Sequence, residues 1–386
     1  MRFMAVNRPV KAEIFGESFS LRALDAPDFG AVDILVSDDG TASELLKKHS
    51  PVLVEASFDS SALPRFPRKP PSIECISSSS KVVVLRAGGV GDHVMFLPAL
   101  TLFREALPKT AKLFLATQKE KHPIFRSHRC IDGLMPLPLT LAQLVEADYV
   151  VDFSESLQSP DFNSMNLTDY FLKRFGIDNG GCANKAPRLL LPCSGGTSKV
   201  CKAMDRLRKR VRSERIVLLQ GRSSNPLRDL PEELLTHVAE SFPDIGFVSP
   251  DAFSALHSDA VRLRNIEDMS PWVSSLEEYM NLVASCDAVV STDTAAYHLA
   301  EAFGIPSLAL FGPISSDLRI RYYRKAQAID ASYTGKTCIA PCGLHKSFSG
   351  CPEAKALGSA HSPCLLSIEP EQIRKAFSLM CRRFWI

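Results

Sequence analysis

From Lys81 onward the apolar residues come in short solid runs, separated by stretches of helical spacing. Lys81–Ala87 reads KVVVLRA and ends on glycines, the pattern of a strand buried on both faces. Behind the glycines, Phe96, Leu97, Leu100, Phe103 and Leu107 fall near helical spacing, and Pro108 stops that helix. Leu113–Ala116 and Tyr149–Asp152 are the next strand candidates. The alternation restarts with strands at Arg215–Gly221, Gly246–Val248, Ala288–Ser291 and Ser307–Phe311, and with helices at Pro231–Ser241, Leu276–Ser285 and Ala295–Phe303. Two such series predict an α/β chain with parallel sheets, in two Rossmann-like domains that face a cleft. Ile373, Phe377 and Met380 give the segment Glu369–Phe384 one apolar helical face, and such a helix could cross back to the first lobe.

Residues 1–80 are patterned differently. Strand-like and helical pieces occur at Val10–Leu24, Asp33–Val36 and Val52–Val54, and Ser57–Ser80 is rich in proline and serine, as linkers are. The expected organisation is an N-terminal extension and linker over 1–80, a first Rossmann-like domain over 81–200, a second over 213–368 and a C-terminal helix over 369–386.

A length of 386 residues suits two cores, and 45% apolar with 23% charged residues is ordinary globular usage. The net charge of +2 gives no global field for nucleic acid. Lys202–Arg215 is locally basic, which reads as a solvated helix face or as a contact with an anionic acceptor or the inner membrane surface. No run is long and apolar enough for a membrane helix or a secretory signal, so a cytoplasmic protein is expected.

Four segments carry candidate chemistry. Arg86–His93 reads RAGGVGDH, a glycine turn between strand and helix that sets the carboxylate Asp92 at the mouth of a sheet. Asp92 suits a general base there, or simply caps the helix. A dinucleotide fingerprint fails, because its third glycine would fall on Val94. In Ala288–Ala300 a strand ends in Ser291, Thr292, Asp293 and Thr294 and opens a helix carrying His298, an arrangement that can receive an anion or cap itself. Phe311–Ile314 (FGPI) is a glycine-bearing strand end. Gln220–Pro231 is a polar loop with Ser223, Ser224, Arg222 and Arg228, whose guanidinium groups could offset phosphate charge. Gly335–Thr337 imitates a phosphate loop, but position 330 is Asp330 rather than glycine.

Taken in order, Leu85-Arg86, Val90-Gly91-Asp92 and Leu97–Leu100, with Asp293-Thr294, His298–Ala300, Phe303–Pro306 and Ala309–Pro313, resemble the signatures of glycosyltransferase family 9, the lipopolysaccharide heptosyltransferases and their relatives. The resemblance covers about residues 81–380. It implies a GT-B fold and an inverting transfer from a nucleotide sugar, typically ADP-heptose, to a glycan acceptor, with no cofactor needed for catalysis. By carry-over Asp92 is the base, with Gly91 and His93 beside it on the acceptor side. Arg228, Ser223, Ser224, Thr292, Asp293, Thr294, Ala295, His298, Gly312 and Pro313 line the donor site.

Two features depart from the family pattern. The early motif normally lies near the chain start, and relatives with an added N-terminal region glycosylate proteins, so transfer to Ser or Thr of a protein is the second reading. A non-catalytic nucleotide-sugar-binding protein is the third. The chain has eleven cysteines, of which Cys338, Cys342, Cys351 and Cys364 cluster in one loop-rich stretch. Four thiolates there could hold a structural zinc or iron, with His345 or His361 as substitute ligands; reduced thiols and disulfides are the alternatives.

Overall fold

The computed structural model describes residues 72–386 apart from 127, 138, 140–142, 144–145, 154–155, 157–158, 178–183, 192–198, 253–262, 345–349 and 386. Before them it describes Pro70 and four short strands. The N-terminal strands are β1 (Phe3–Ala5), β2 (Val10–Ile14), β3 (Glu17–Leu21) and β4 (Ile34–Val36). β1 runs parallel to β4, and β2 with β3 forms an antiparallel hairpin. The expected pieces at 52–54 and the linker up to residue 69 lie outside the described residues.

By contacts the chain forms two units. One comprises residues 1–88, 99–162 and 169–181; the other comprises 89–98, 163–168 and 182–386. The first holds a four-stranded parallel sheet of β5 (Lys81–Leu85), β6 (Lys112–Gln118), β7 (Gly133–Leu137) and β8 (Tyr149–Asp152), in the order β7-β6-β5-β8. Val82, Val83 and Val84 are fully buried in succession, as a strand covered on both faces must be. β5 leaves through Gly88, whose φ of 138° only glycine adopts without strain, and enters the helix Val90–Ala106.

The second unit holds six parallel strands: β9 (Ile216–Gln220), β10 (Gly246–Ser249), β11 (Ile266–Asp268), β12 (Ala288–Thr292), β13 (Ser307–Phe311) and β14 (Ala326–Asp330). Their spatial order is β11-β10-β9-β12-β13-β14, the 3-2-1-4-5-6 winding of nucleotide-binding sheets, with its switch point between β9 and β12. The strand runs read from the sequence match these elements to within a residue or two.

The C-terminal helix spans Pro370–Phe384 and packs within the second unit, on the helix Glu232–Ser241 and on β13 and β14. The reason is its apolar stripe. Ile373, Phe377 and Met380 are buried in the core of the second sheet, and Phe377 meets Phe242 edge-on with centroids 4.9 Å apart. Burying such side chains stabilises by about 1.5–3 kcal/mol each. The basic segment is largely structural as well. It forms the helix Lys199–Val211, from which Arg210 reaches the Arg264 and Ile266 carbonyls and Glu267, while Arg215 pairs with Asp287 and lies over the Trp385 ring. Among the described residues no helix is long and apolar enough to cross a membrane.

Candidate functional site

The carboxyl ends of β9 and β12 meet at the switch point, and the loops that leave them interlock. After β9, Ser223 Oγ donates to the Asn225 carbonyl at 2.7 Å, and the Asn225 side chain accepts from Leu227 N at 3.0 Å, opening a single 3-10 turn over Pro226–Arg228. Asp229 accepts from Ser223 N at 2.7 Å and closes the loop on itself. The turn delivers Arg228 to the end of β12. Its Nη1 donates to the Asp293 carbonyl at 2.7 Å and to the Asp293 carboxylate at 3.2 Å, and its Nη2 donates to Ser224 Oγ at 3.0 Å. In return Thr292 Oγ1 donates to the Arg228 carbonyl. Arg228 Nε is buried and has no acceptor among the described residues. A buried N–H without a partner is costly.

Asp293 is fully enclosed. Burial acts to raise its carboxyl, but Arg228, Arg319 and the Tyr297 hydroxyl outweigh that and hold it at about 2. The Tyr297 hydroxyl donates to Asp293 Oδ1 at 2.7 Å. Thr294 precedes the helix Ala295–Phe303 without a side-chain capping bond, which leaves the first amides of that helix, including Ala295, without a cap from that hydroxyl. His298 is 4% exposed, shares a 2.5 Å hydrogen bond with the Tyr323 hydroxyl and is stacked near Tyr297. Burial lowers its pKa to about 3, against the upward pull of Asp293 and Asp92, so the ring is neutral at pH 7.

Asp92 sits in the first turn of its helix, half-buried, and accepts from Gly89 N at 3.2 Å. It is therefore held by its own glycine turn rather than acting as the residue before the helix. Gly91 lies against His298: a Cβ there would come within 2.6 Å of Cδ2 and 3.1 Å of Nε2. His93 is fully buried and donates Nδ1–H to the Gly89 carbonyl at 2.8 Å, which fixes the turn. Within one unit the structure thus gathers Gly91, Asp92 and His298 with Asp293 and Arg228.

Gly312 and Pro313 leave β13 tightly packed. A Cβ at Gly312 would stand 2.8 Å from Cys364 Sγ, and the Pro313 carbonyl accepts from Gly343 N at 2.8 Å. Cys338, Cys342, Cys351 and Cys364 line one cavity of about 60 Å3. All four are free thiols, and Cys364 is pushed up to about 12 by burial first and then by the other three. Among the described residues no three His, Cys, Asp or Glu side chains stand together as a ready metal-binding group. His345 lies outside the described residues, and His361 donates Nδ1–H to the Asp229 carbonyl at 3.3 Å rather than facing a sulfur ligand set.

Sequence reasoning missed Tyr297, Tyr323 and Arg319. Tyr297 had a signal, since it stands one helical turn after Asp293. Tyr323 and buried Arg319 come from a later loop and a short helical turn, and nothing in their spacing ties them to Asp293.

The sequence model of "Glycosyltransferase family 9 (heptosyltransferase)" matches residues 273–342. No curated protein sequence matches the chain. Among solved structures, a family 9 glycosyl transferase from Veillonella parvula is similar with a TM-score of 0.57 at 15% identity, over 79% of this chain and 98% of that one. The ADP-heptose LPS heptosyltransferase II of E. coli gives 0.56 at 14%, over 78% and 99%. The dodecameric iron-containing heptosyltransferase TibC of enterotoxigenic E. coli, in complex with ADP-D-β-D-heptose, gives 0.57 at 13%, over 80% and 78%. At these identities the likeness is one of fold, GT-B. The family model's match is confined to residues 273–342, the segment that carries both the Asp293 loop and the Gly312-Pro313 turn.

Proposed function

We propose that the chain transfers a sugar, a heptose, from an ADP-linked donor to a hydroxyl with inversion, and that the site at the β9–β12 switch holds the donor diphosphate. The buried Nε of Arg228, without an acceptor among the described residues, carries this reading. A guanidinium fixed by Asp293 and Ser224, with one buried N–H still to be satisfied, suits a charge-assisted hydrogen bond to a phosphate oxygen. The amides of Thr294 and Ala295 add the positive end of a helix, and Gly312 and Pro313 bound the pocket. As the glycosidic C–O bond breaks, charge grows on the departing diphosphate and these groups stabilise it. Asp92 takes the proton of the attacking hydroxyl, which needs a carboxylate held near the reacting carbon; the Gly89 amide and the neutral His298 beside Gly91 support that placement.

The acceptor we favour is a lipopolysaccharide or related glycan, handled in the cytoplasm. The exposed stripe of Lys202, Arg206 and Lys209 supports a passing contact with an anionic membrane surface. The strands β1–β4 ahead of the first sheet favour the second reading, a protein hydroxyl as acceptor. The four thiols suit zinc or iron by donor type, and Cys338, Cys342, Cys351 and Cys364 would hold it; such an ion would brace the loop and supply no chemistry to the transfer.

The test is release of nucleoside diphosphate from a panel of nucleotide sugars, with glycan and peptide acceptors, by wild type and Asp92→Asn. Loss of a hundredfold or more in the variant is expected for a general base. Undiminished turnover would remove Asp92 from the reaction, and donor binding without transfer to any acceptor would leave a binding protein.

A further inference from the structure

The cavity lined by the four cysteines shares a wall with the donor loop: Leu227, the residue before Arg228, and Pro313, the residue after Gly312, both line it. Three hydrogen bonds cross from the cysteine-rich stretch to that wall. Ser362 Oγ, on a residue 3% exposed, donates to the Leu227 carbonyl at 2.7 Å. His361 Nδ1–H reaches the Asp229 carbonyl at 3.3 Å, and Gly343 N reaches the Pro313 carbonyl at 2.8 Å. The carbonyls on both sides of Arg228 are therefore held from the same short segment. That segment is itself clamped by Glu353, a buried carboxylate that accepts from Lys336 N at 2.9 Å, Thr337 N at 3.0 Å, the Thr337 hydroxyl and the Tyr333 hydroxyl.

The loop needs such help. Pro226–Arg228 is one 3-10 turn, and a single turn does not hold its own geometry in water. Ser362 is buried, so its hydroxyl has no water to trade with, and losing it strands the Leu227 carbonyl. We infer that residues 338–344 and 350–364 form a brace for the Arg228 loop, with Ser362 as a positioning residue for the nucleoside diphosphate. The inference rests on the reading of Arg228 as the diphosphate-binding group.

The experiment uses the full chain. ADP binding is measured by calorimetry, and exchange of the Arg228 and Asp229 amides by hydrogen–deuterium exchange, for wild type, Ser362→Ala and Ser362→Thr. Ser362→Ala should weaken ADP about tenfold and speed exchange at those two amides by a similar factor, as loss of one buried hydrogen bond would. Ser362→Thr, which keeps the hydroxyl, should restore both. Wild-type affinity and wild-type exchange in Ser362→Ala would overturn the brace. Faster exchange in a chain that binds none of ADP, GDP or UDP would keep the brace as a loop support and sink the diphosphate reading instead. If Ser362→Ala does not fold, His361→Ala takes its place with the same two readouts, and unchanged values there count against the brace.

Discussion

Arg228 and Asp293 are joined twice, through the Asp293 carbonyl at 2.7 Å and its carboxylate at 3.2 Å, and the same guanidinium keeps one buried N–H in reserve. Replacing Arg228 by Lys keeps a charge and loses the planar fork. Donor KM should then rise at least tenfold, seen in initial rates at varied donor. Arg228→Ala should in addition destabilise the fold by up to about 3–5 kcal/mol, because it takes the directly paired guanidinium from buried Asp293 and leaves it only the Tyr297 hydroxyl and Arg319. Urea denaturation reads that loss, and an unchanged midpoint would mean that Asp293 finds another partner.

Gly91→Ala places a methyl group 2.6 Å from the His298 ring. Overpacking of this kind costs about 1–3 kcal/mol and should displace the turn that carries Asp92, so both stability and transfer rate fall. The double variant Gly91→Ala, His298→Ala opens the space again. A recovery of stability relative to the sum of the single changes is the expected sign of direct contact, measured as a double-mutant cycle.

Tyr297→Phe removes one hydrogen bond to the Asp293 carboxylate without changing shape. A loss of about 1.5–3 kcal/mol in denaturant titration is expected for a bond to a charged group. Asp293 should also titrate higher in this variant, by carboxyl NMR.

Buried His298 and half-buried Asp251 give stability opposite pH slopes. His298 is held at about 3 against 6.5 in the open chain, so its contribution is full above pH 6.5 and is lost as pH falls toward 3. His128, lowered by burial, adds in the same sense. Asp251 is pushed up to about 6 from 3.8 by burial, so its contribution is full below 3.8 and is lost as pH rises through 6. Between pH 5 and 6 they offset one another. In Asp251→Asn stability should fall on acidification from pH 6.5 to 5 by up to about 1.4 kcal/mol per pH unit for His298. The wild type should be flatter. Denaturation curves at three pH values decide it, and parallel slopes in the two proteins would refute the assignment.

Much of this architecture was legible because buried strands advertise themselves. Val82–Val84 and Val217–Leu219 are runs that no surface tolerates, and all of them are fully buried. The Asp293 loop was legible from its hydroxyl and carboxyl cluster at a strand end, although the hydroxyl of Thr292 turned out to hold Arg228 and that of Thr294 to cap nothing. The destination of the C-terminal helix was not legible, since an apolar stripe says that a helix is buried but not against what. Nor were Tyr323 and Arg319, whose part at His298 and Asp293 depends on where β14 and the turn before it lie in space.

The six-strand order has a consequence for how the protein acquires its site. β9 pairs on one side with β10, its neighbour in sequence, and on the other with β12, where Leu218 meets Val289 only after β10, β11 and two helices have been laid down. Closing so long a stretch of chain is entropically slow, and non-local parallel pairings are the late events of folding. Arg228 and Asp293 sit on the two sides of that seam. A chain caught with the seam still open has neither the ion pair nor the site proposed for the donor, so on that proposal affinity for a nucleoside diphosphate would mark a late step of maturation rather than any partly folded state.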